Sequence, residues 1–570
     1  MTNDLERRND KLLQSVFRRI LLPALVAGAS ANIASMIDGI IVGNAISSNA
    51  LAAVNVCRPA LQIYGFLEEI LVSGLVTCIA HSIGQNNRED ADRVFTVGML
   101  SAVIMGIVLT FVQLIFADDI CRVFANDETL YPMALEYYRV FIFSVFFILV
   151  NDTIAAAMRT DGMSSLSALL LLLPHVLNAV LDFLLVNVFK MGLTGAGIAT
   201  VLGYVLGFAI GCYYFFFRRT YRLRNGALRK NLMNIAATGT PPAATIGLIS
   251  LKLLIINTLT LAAGGSDGMA ILSLLMFASA LESLFIEGIG QAMMPMTSFY
   301  YANGDYHGVR AVFRHAFRSL MCMEGVLLLI LELFPKGIPL LFGMREPALL
   351  SEAARAMRIY ALSMPLEAFV LLAVFYNTST GNRKMAVILS FLQGLLATVL
   401  VIYPLMHFFG LKGVWLSFPA ASLIPLALIA VLSRFDSERF FRMKGHTYLE
   451  QFSVELSALS QTVDSVRKAV RDAGFDSIIA DKTGLAIEEM AVSAFDRNSG
   501  KKVHIDITVR KIEETLLVTF ADDGMEFDPL RYIDGNSTDK TSNIALLKAI
   551  SAKIEYGRVV GMNKTDITLR

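Results

Sequence analysis

Gly192-Leu193-Thr194-Gly195-Ala196-Gly197-Ile198-Ala199-Thr200 opens the apolar run 193–216, and Gly410-Leu411-Lys412-Gly413 opens the run 411–433 in the same way. Each run supplies the ~20 apolar residues that a helix needs to cross hydrocarbon. The step from Gly192 to Gly410 equals the step from Gly195 to Gly413, and nearly the same offset returns twice more. Gly84-Gln85-Asn86-Asn87 with Arg93-Val94 answers to Ala302-Asn303-Gly304-Asp305 with Ala311-Val312, and Arg159-Thr160-Asp161-Gly162 answers to Ser379-Thr380-Gly381. A fixed offset at separate places is the mark of a duplicated unit.

Working outward, the first half carries apolar runs at 16–46, 51–82, 94–117, 137–158, 163–188 and 193–216. The second carries 240–264, 268–300, 310–334, 357–377, 383–409 and 411–433. The runs are continuous and not alternating, so they read as helices and not as barrel strands. Six spans per half is an even number, so the halves share orientation and repeat about an axis along the membrane normal. That architecture places a substrate site between the halves near the midplane. The expected fold is an all-α polytopic membrane protein of twelve spans followed by a cytosolic α/β sandwich. Its divisions are 1–224 and 225–440 for the two lobes and 445–570 for the tail.

Composition agrees. The chain is 55% hydrophobic and only 17% charged, where a soluble protein of this size shows about 25%. Basic residues cluster before the first run (Arg7, Arg8, Lys11, Arg18, Arg19) and between the sixth and seventh (Arg218, Arg219, Arg222, Arg224, Arg229, Lys230). They return after the eighth (Arg310, Arg314, Arg318), tenth (Arg383, Lys384) and twelfth (Arg434, Arg439, Arg442). All fall on one side of a twelve-span chain, which the positive-inside rule makes the cytosol; the loop after the ninth run (Lys336, Arg345, Arg355, Arg358) dissents but is long and carries less weight. Both termini are therefore expected inside, the N-terminus retained, in the cytoplasmic membrane. The net charge of +1 forms no basic patch for nucleic acid, and Cys57, Cys78, Cys121, Cys212 and Cys322 lack metal-ligand spacing.

Ionisable groups in hydrocarbon are functional candidates. Here they are Asp38, Glu68, Glu69, Asp152 and Asp182 in the first half, and Lys252, Glu282, Glu287 and Glu367 in the second. The shift that carries Gly192 onto Gly410 puts Ile256 opposite Asp38 and Leu400 opposite Asp182. A carboxylate confined to one half suits ion coupling, since a desolvated carboxyl group can exchange a proton for a cation. Glu69 and Glu287 are repeat equivalents, which favours a structural role. Asp152 and Glu367 read as interfacial or capping groups, Lys252 as a static partner for a glutamate, and His175 beside Pro174 as a packed kink residue.

The ordered pieces resemble the multidrug and toxic compound extrusion (MATE) family over about residues 10–440. They are Asp38-Gly39-Ile40-Ile41-Val42-Gly43, Gly84-Gln85-Asn86-Asn87, Arg159-Thr160-Asp161-Gly162, Asn178-Ala179-Val180-Leu181-Asp182, the stretch 192–200 and Gly290-Gln291-Ala292-Met293-Met294-Pro295. The resemblance implies an antiporter that expels amphipathic, often cationic, organic compounds against inward proton or sodium flow. It carries Asp38, Asn178, Asp182 and Thr200 into the coupling site. A tyrosine and an asparagine typical of that site are replaced by Ala34 and Ala155.

In the tail, helices are expected at 452–473, 483–497 and 542–553, with strands at 502–510 and 515–521 and further strands at the end. Leu485-Ala486-Ile487-Glu488-Glu489-Met490-Ala491-Val492 and Asp522-Asp523-Gly524-Met525-Glu526-Phe527-Asp528-Pro529 resemble the small ATP-binding fold of histidine kinases and anti-sigma-factor kinases. The resemblance implies Glu489 as general base, with Asp522 and Gly524 at the adenine. Ser493 stands where that fold has its Mg²⁺-binding asparagine, and Thr541-Ser542-Asn543 where its glycine-rich lid lies. Serine is a weak ligand for a hard cation, and a lid without glycines cannot approach phosphates closely. The expected tail is a degenerate regulatory or protein-binding module, with weak ATP or ADP sensing as the sharper alternative. Two other readings of the whole chain stand beside the antiporter. One is a flippase for lipid-linked or polysaccharide precursors. The other is a membrane sensor kinase, for which His446 lacks a dimerisation-helix context.

Overall fold

The computed structural model describes residues 10–46, 50, 53–54, 58–85, 87–124, 130–341, 344–435, 448–498, 502–512, 515–530 and 544–570. The first half holds α1 (Lys11–Ala45), α2 (Arg58–Gly84), α3 (Arg88–Ile115), α4 (Ala117–Phe124), α5 (Leu130–Thr160), α6 (Ser164–Asp182) and α7 (Gly192–Tyr213). The second holds α8 (Leu228–Ala302), α9 (Tyr306–Leu333), α10 (Gly337–Leu341), α11 (Pro347–Ala361), α12 (Met364–Ser379), α13 (Arg383–Phe391), α14 (Ala397–Phe409) and α15 (Leu411–Phe435). The expected runs 240–264 and 268–300 are two arms of α8. They join at Gly265, whose φ of 57° and ψ of −146° break the helix in a region that glycine alone enters freely.

Among the described residues, ten helical stretches are long and apolar enough to cross a membrane. They cover ten of the twelve expected runs. The other two runs correspond to α1 and to α9, which carries Arg310, Arg314, Arg318, Glu324 and Glu332.

Two features tie the lobes together. The linker after α7 is held by the first lobe: Thr220 and Tyr214 donate to the buried Asp161 carboxylate, and the Arg222 amide donates to Asp92 Oδ1 at 3.0 Å. Small residues then let α2 and α8 cross closely. A Cβ on Gly74 would strike the Ile235 carbonyl, one on Gly239 the Ile70 carbonyl, and one on Gly84 would lie 2.5 Å from the Phe299 carbonyl oxygen. One apolar core accordingly runs through both lobes, from Leu75 and Ile79 to Ile289, Met293 and Phe299.

The tail forms a five-stranded antiparallel sheet in the order β1-β2-β3-β5-β4, from β1 (Tyr448–Val454), β2 (Ile505–Ile512), β3 (Thr515–Asp522), β4 (Lys553–Val559) and β5 (Met562–Leu569). Its helices are α16 (Leu459–Asp472), α17 (Ser477–Arg497) and α18 (Ile544–Ile550). The helix expected from 452 starts only at Leu459. Phe452 and Val454 alternate with polar neighbours, a period of two that pairs as an edge strand with β2. Ile505, Ile507, Val509, Leu516, Val518, Phe520, Ile567 and Leu569 form a core with Val463, Val466, Ile487 and Met490 of the helices. The alternate strand positions, Asp506, Thr508, Thr519, Lys564 and Asp566, are polar and also buried. This second face lies against the helical bundle.

Candidate transport site

The residues implied for ion coupling sit on α1, α6 and α7. Asp38 lies on α1, and its side chain is outside the described residues. Asp182 is fully buried, at the point where α6 passes into a π-helical turn, Phe183–Val188. Such turns interrupt the regular ladder and gather at functional sites. One turn back, Asn178 Nδ2 donates to Thr200 Oγ1 of α7 at 3.2 Å. The close approach of α6 and α7 explains the pairing: a Cβ on Gly203 would lie 2.6 Å from the Pro174 carbonyl oxygen. Asn178 and Thr200 are thus brought together, with Asp182 on the same helix.

Further along these helices lies a group that sequence reasoning did not assemble. Glu68 of α2 and Asp152 of α5 lie within electrostatic reach of each other, and of Tyr64 and Tyr204. The His175 ring packs edge-on to Tyr204 at 5.9 Å, and Asn151 Nδ2 donates to the Tyr204 carbonyl at 3.1 Å. Asp152 therefore reads not as a capping group but as half of a carboxyl pair. His175, beside Pro174 within α6, packs against this group.

The second lobe has its own cluster. Lys252 Nζ meets Glu367 Oε1 at 3.1 Å, with both side chains at most 15% exposed. Glu367 belongs to the first turn of α12, a position that suits a capping carboxylate, and it is the glutamate that Lys252 pairs with. Tyr360 donates to the buried Glu282 carboxylate at 3.1 Å, and the fully buried Glu324 of α9 lies within reach of both glutamates. Glu324 escaped notice because its run also holds arginines, so that one more charge carried no contrast. Glu367→Gln is expected to destabilise the second lobe by about 2 kcal/mol, the scale of a hydrogen bond to a charged group. Thermal unfolding in detergent reads it, and Lys252→Met in the same chain should recover most of the loss.

Between the lobes, Glu69 of α2 and the exposed Glu287 of α8 feel each other's charge. The repeat equivalents thus lie within electrostatic reach of each other. In the tail, Asp522 Oδ1 accepts from the Gly524 amide and from Asn563 Nδ2, both at 2.9 Å. Burial pushes the Asp522 carboxyl above its usual range, opposed by these hydrogen bonds. Glu489 is half-buried on α17, and the Ser493 hydroxyl accepts a hydrogen bond from Arg497. No group of metal-ligating side chains occurs among the described residues.

Known proteins bear on this arrangement. The family profile MatE matches residues 23–184 and again 241–403, and the two segments begin at the same offset that relates Gly192 to Gly410. The probable multidrug resistance protein NorM of Thermotoga maritima is 23% identical over 414 residues, 70% of this chain and 87% of its own. The multidrug export protein MepA of Staphylococcus aureus (strain MRSA252) is 22% identical over 420 residues, 72% of this chain and 91% of its own. A solved multidrug resistance MATE family transporter in an outward-facing conformation superposes with a TM-score of 0.70 at 23% identity, covering 76% of this chain and all of that one. A transporter of the same superfamily from Pyrococcus furiosus, described by the reverse polarity of its binding pocket, also scores 0.70 at 23% identity, covering 76% of this chain and 99% of that one. The profile spans more than half of the sequence, in two copies set at the offset of the internal repeat, and on that ground the chain belongs to the MatE family of multidrug efflux transporters.

Proposed function

We propose that this transporter exports amphipathic, often cationic, organic compounds across the cytoplasmic membrane in exchange for protons or sodium ions, through twelve spans with both termini in the cytosol. The observation that carries this reading is the polar column in the first lobe. It runs from Asp182 through Asn178 and Thr200 to Tyr204, His175, Asp152 and Glu68. The second half places Leu400 opposite Asp182 and Val370 opposite Asp152. Carboxylates at these two positions, with no acidic counterpart in the second half, provide a path by which a cation can enter and leave while the other lobe moves against it. Relatives named for multidrug resistance and export support the substrate class.

The tail is a regulatory module that has lost nucleotide chemistry. Arg497 holds Ser493 at the position where the ATP-binding fold places its Mg²⁺ ligand, and a guanidinium there repels a divalent cation. The residues do not fit a magnesium–nucleotide site.

The test is efflux of a fluorescent cationic dye from liposomes containing the full chain, under an imposed proton or sodium gradient. Dye movement that follows one gradient supports the antiporter and names its ion. A chain that moves no dye under either gradient, while other substrates such as lipid-linked sugars cross, would replace this reading with the flippase.

A further inference from the structure

The turn between β4 and β5 leaves the sheet and enters the end of the helical bundle. Val559, Val560 and Met562 belong to the bundle's apolar core and not to the tail's. On the first lobe, the Val560 amide donates to the Thr160 carbonyl at 2.9 Å, and Arg19 Nη2 donates to the Gly561 carbonyl at 2.9 Å. Gly162 and Gly561 have φ near +78° and +79° and their backbones touch, so that a Cβ on Gly162 would overlap the Gly561 amide. On the second lobe, Arg510 of β2 donates to the carbonyl and side-chain oxygens of Asn303, the latter at 3.2 Å, and the Tyr300 hydroxyl contacts Met562 Sδ at 3.3 Å. Lys564 lies over the join itself. Its ammonium is 3.4 Å from the Gly84 carbonyl at the end of α2 and 5.6 Å from the centre of the Phe299 ring near the end of α8.

These two helix ends are repeat equivalents, and they abut: a Cβ on Gly84 would lie 2.7 Å from the Ala302 Cβ and 3.2 Å from the Asn303 amide. Any motion that opens the bundle on this side must part them. β2 and β5 are tied through β3 by full antiparallel ladders, so the sheet does not stretch. A hydrogen bond is lost once its heavy atoms separate much beyond about 3.5 Å. Parting the lobes by a few ångströms therefore breaks either the contacts of the Val560–Gly561 turn with the first lobe or those of Arg510 and Met562 with the second.

We infer that the β4–β5 hairpin, together with Arg510, is a strap across the two lobes that holds the tail-side mouth of the transporter closed and must release one lobe before that side opens. The inference rests on the reading of the chain as a two-lobed transporter that opens alternately to each side.

The test measures the distance between the lobes on the tail side by pulsed electron paramagnetic resonance of the full chain in lipid nanodiscs. Spin labels on unnatural residues replace the exposed Gln85 and Arg310, leaving the native cysteines in place. The wild-type chain should give one short distance. Arg510→Gln frees the second lobe and Arg19→Gln the first; each should raise the share of a longer distance about tenfold, the scale set by losing a charge-assisted hydrogen bond. An unchanged distribution in the variants, with amide exchange showing the hairpin detached, would overturn the strap. So would a long distance in the wild-type chain with its hairpin still protected. The two substitutions lie in different parts of the chain, so a folding failure in one leaves the other informative. Dye efflux measured on the same variants reconstituted in liposomes separates the two readings: lengthened distances without efflux would keep the strap and remove the antiporter.

Discussion

Asp182→Asn is expected to reduce gradient-driven efflux by about 100-fold, the scale of removing a titrating group that a proton-transfer step requires, while leaving the protein folded and able to bind substrate. The argument begins with shape. Asparagine fills the same volume, so the packing of α6 against α7 and the hydrogen bond from Asn178 to Thr200 have no reason to change. What changes is charge. Asp182 is fully buried ahead of the π-helical turn Phe183–Val188, where a carboxylate can take up or release a cation and a neutral amide cannot. Substrate binding, read by dye fluorescence without a gradient, should stay within a few-fold of wild type. Asn178→Ala gives the contrast. It removes one neutral hydrogen bond, worth about 1 kcal/mol, and should slow efflux only several-fold. Full gradient-driven transport by Asp182→Asn would move the coupling role elsewhere, with the Glu68–Asp152 pair the next group to test.

Sequence reasoning reached the parts of this protein that depend on local pattern. Apolar run length marked the helices, the constant offset between paired motifs marked the duplication, and the profile later matched twice at that spacing. The equivalence of Glu69 and Glu287, which lie within electrostatic reach of each other, follows from the same offset. Contacts between distant helices were a different matter. Glu68 and Asp152 are separated in the chain by the whole of α3 and α4, and nothing in either neighbourhood says that α2 and α5 will bring them together. Lys252 could be given a glutamate partner in general terms, but its choice of Glu367 is set by how α8 packs on α12. The tail shows a further limit. β5 alternates Met562, Lys564 and Asp566 with Asn563, Thr565 and Ile567, and a polar strand face ordinarily meets water. Here that face meets the transporter. Arg159-Thr160-Asp161-Gly162 is likewise legible as a family motif, while its structural duties come only from the fold: Asp161 anchors the linker, and Thr160 and Gly162 receive the hairpin.

Lys564→Met is expected to loosen the tail's sheet by about 3–5 kcal/mol, the cost of breaking a buried ion pair from one side. Lys564 Nζ lies 2.9 Å from Asp566 Oδ2, and each side chain is only 1% exposed. Burial pulls the lysine below its ordinary range, and the Asp566 carboxylate opposes that shift. Removing the ammonium leaves the Asp566 carboxylate buried against the end of the bundle without its lysine partner, so the single variant incurs a desolvation cost. Lys564→Met combined with Asp566→Leu removes both charges, and an apolar pair of similar volume is often neutral or better. The double variant should therefore regain most of the loss, short of the contact with the Gly84 carbonyl. Amide exchange along β3 and β5 of the full chain distinguishes the cases. Protection should fall by about two to four orders of magnitude in the single variant, as the free-energy change requires, and return to within about tenfold in the double one. Wild-type protection in Lys564→Met would mean that water reaches Asp566 and that the polar face of the sheet is not sealed against the transporter. Failure of the double variant to recover would assign the stabilisation to the Gly84 contact across the lobes and not to the ion pair.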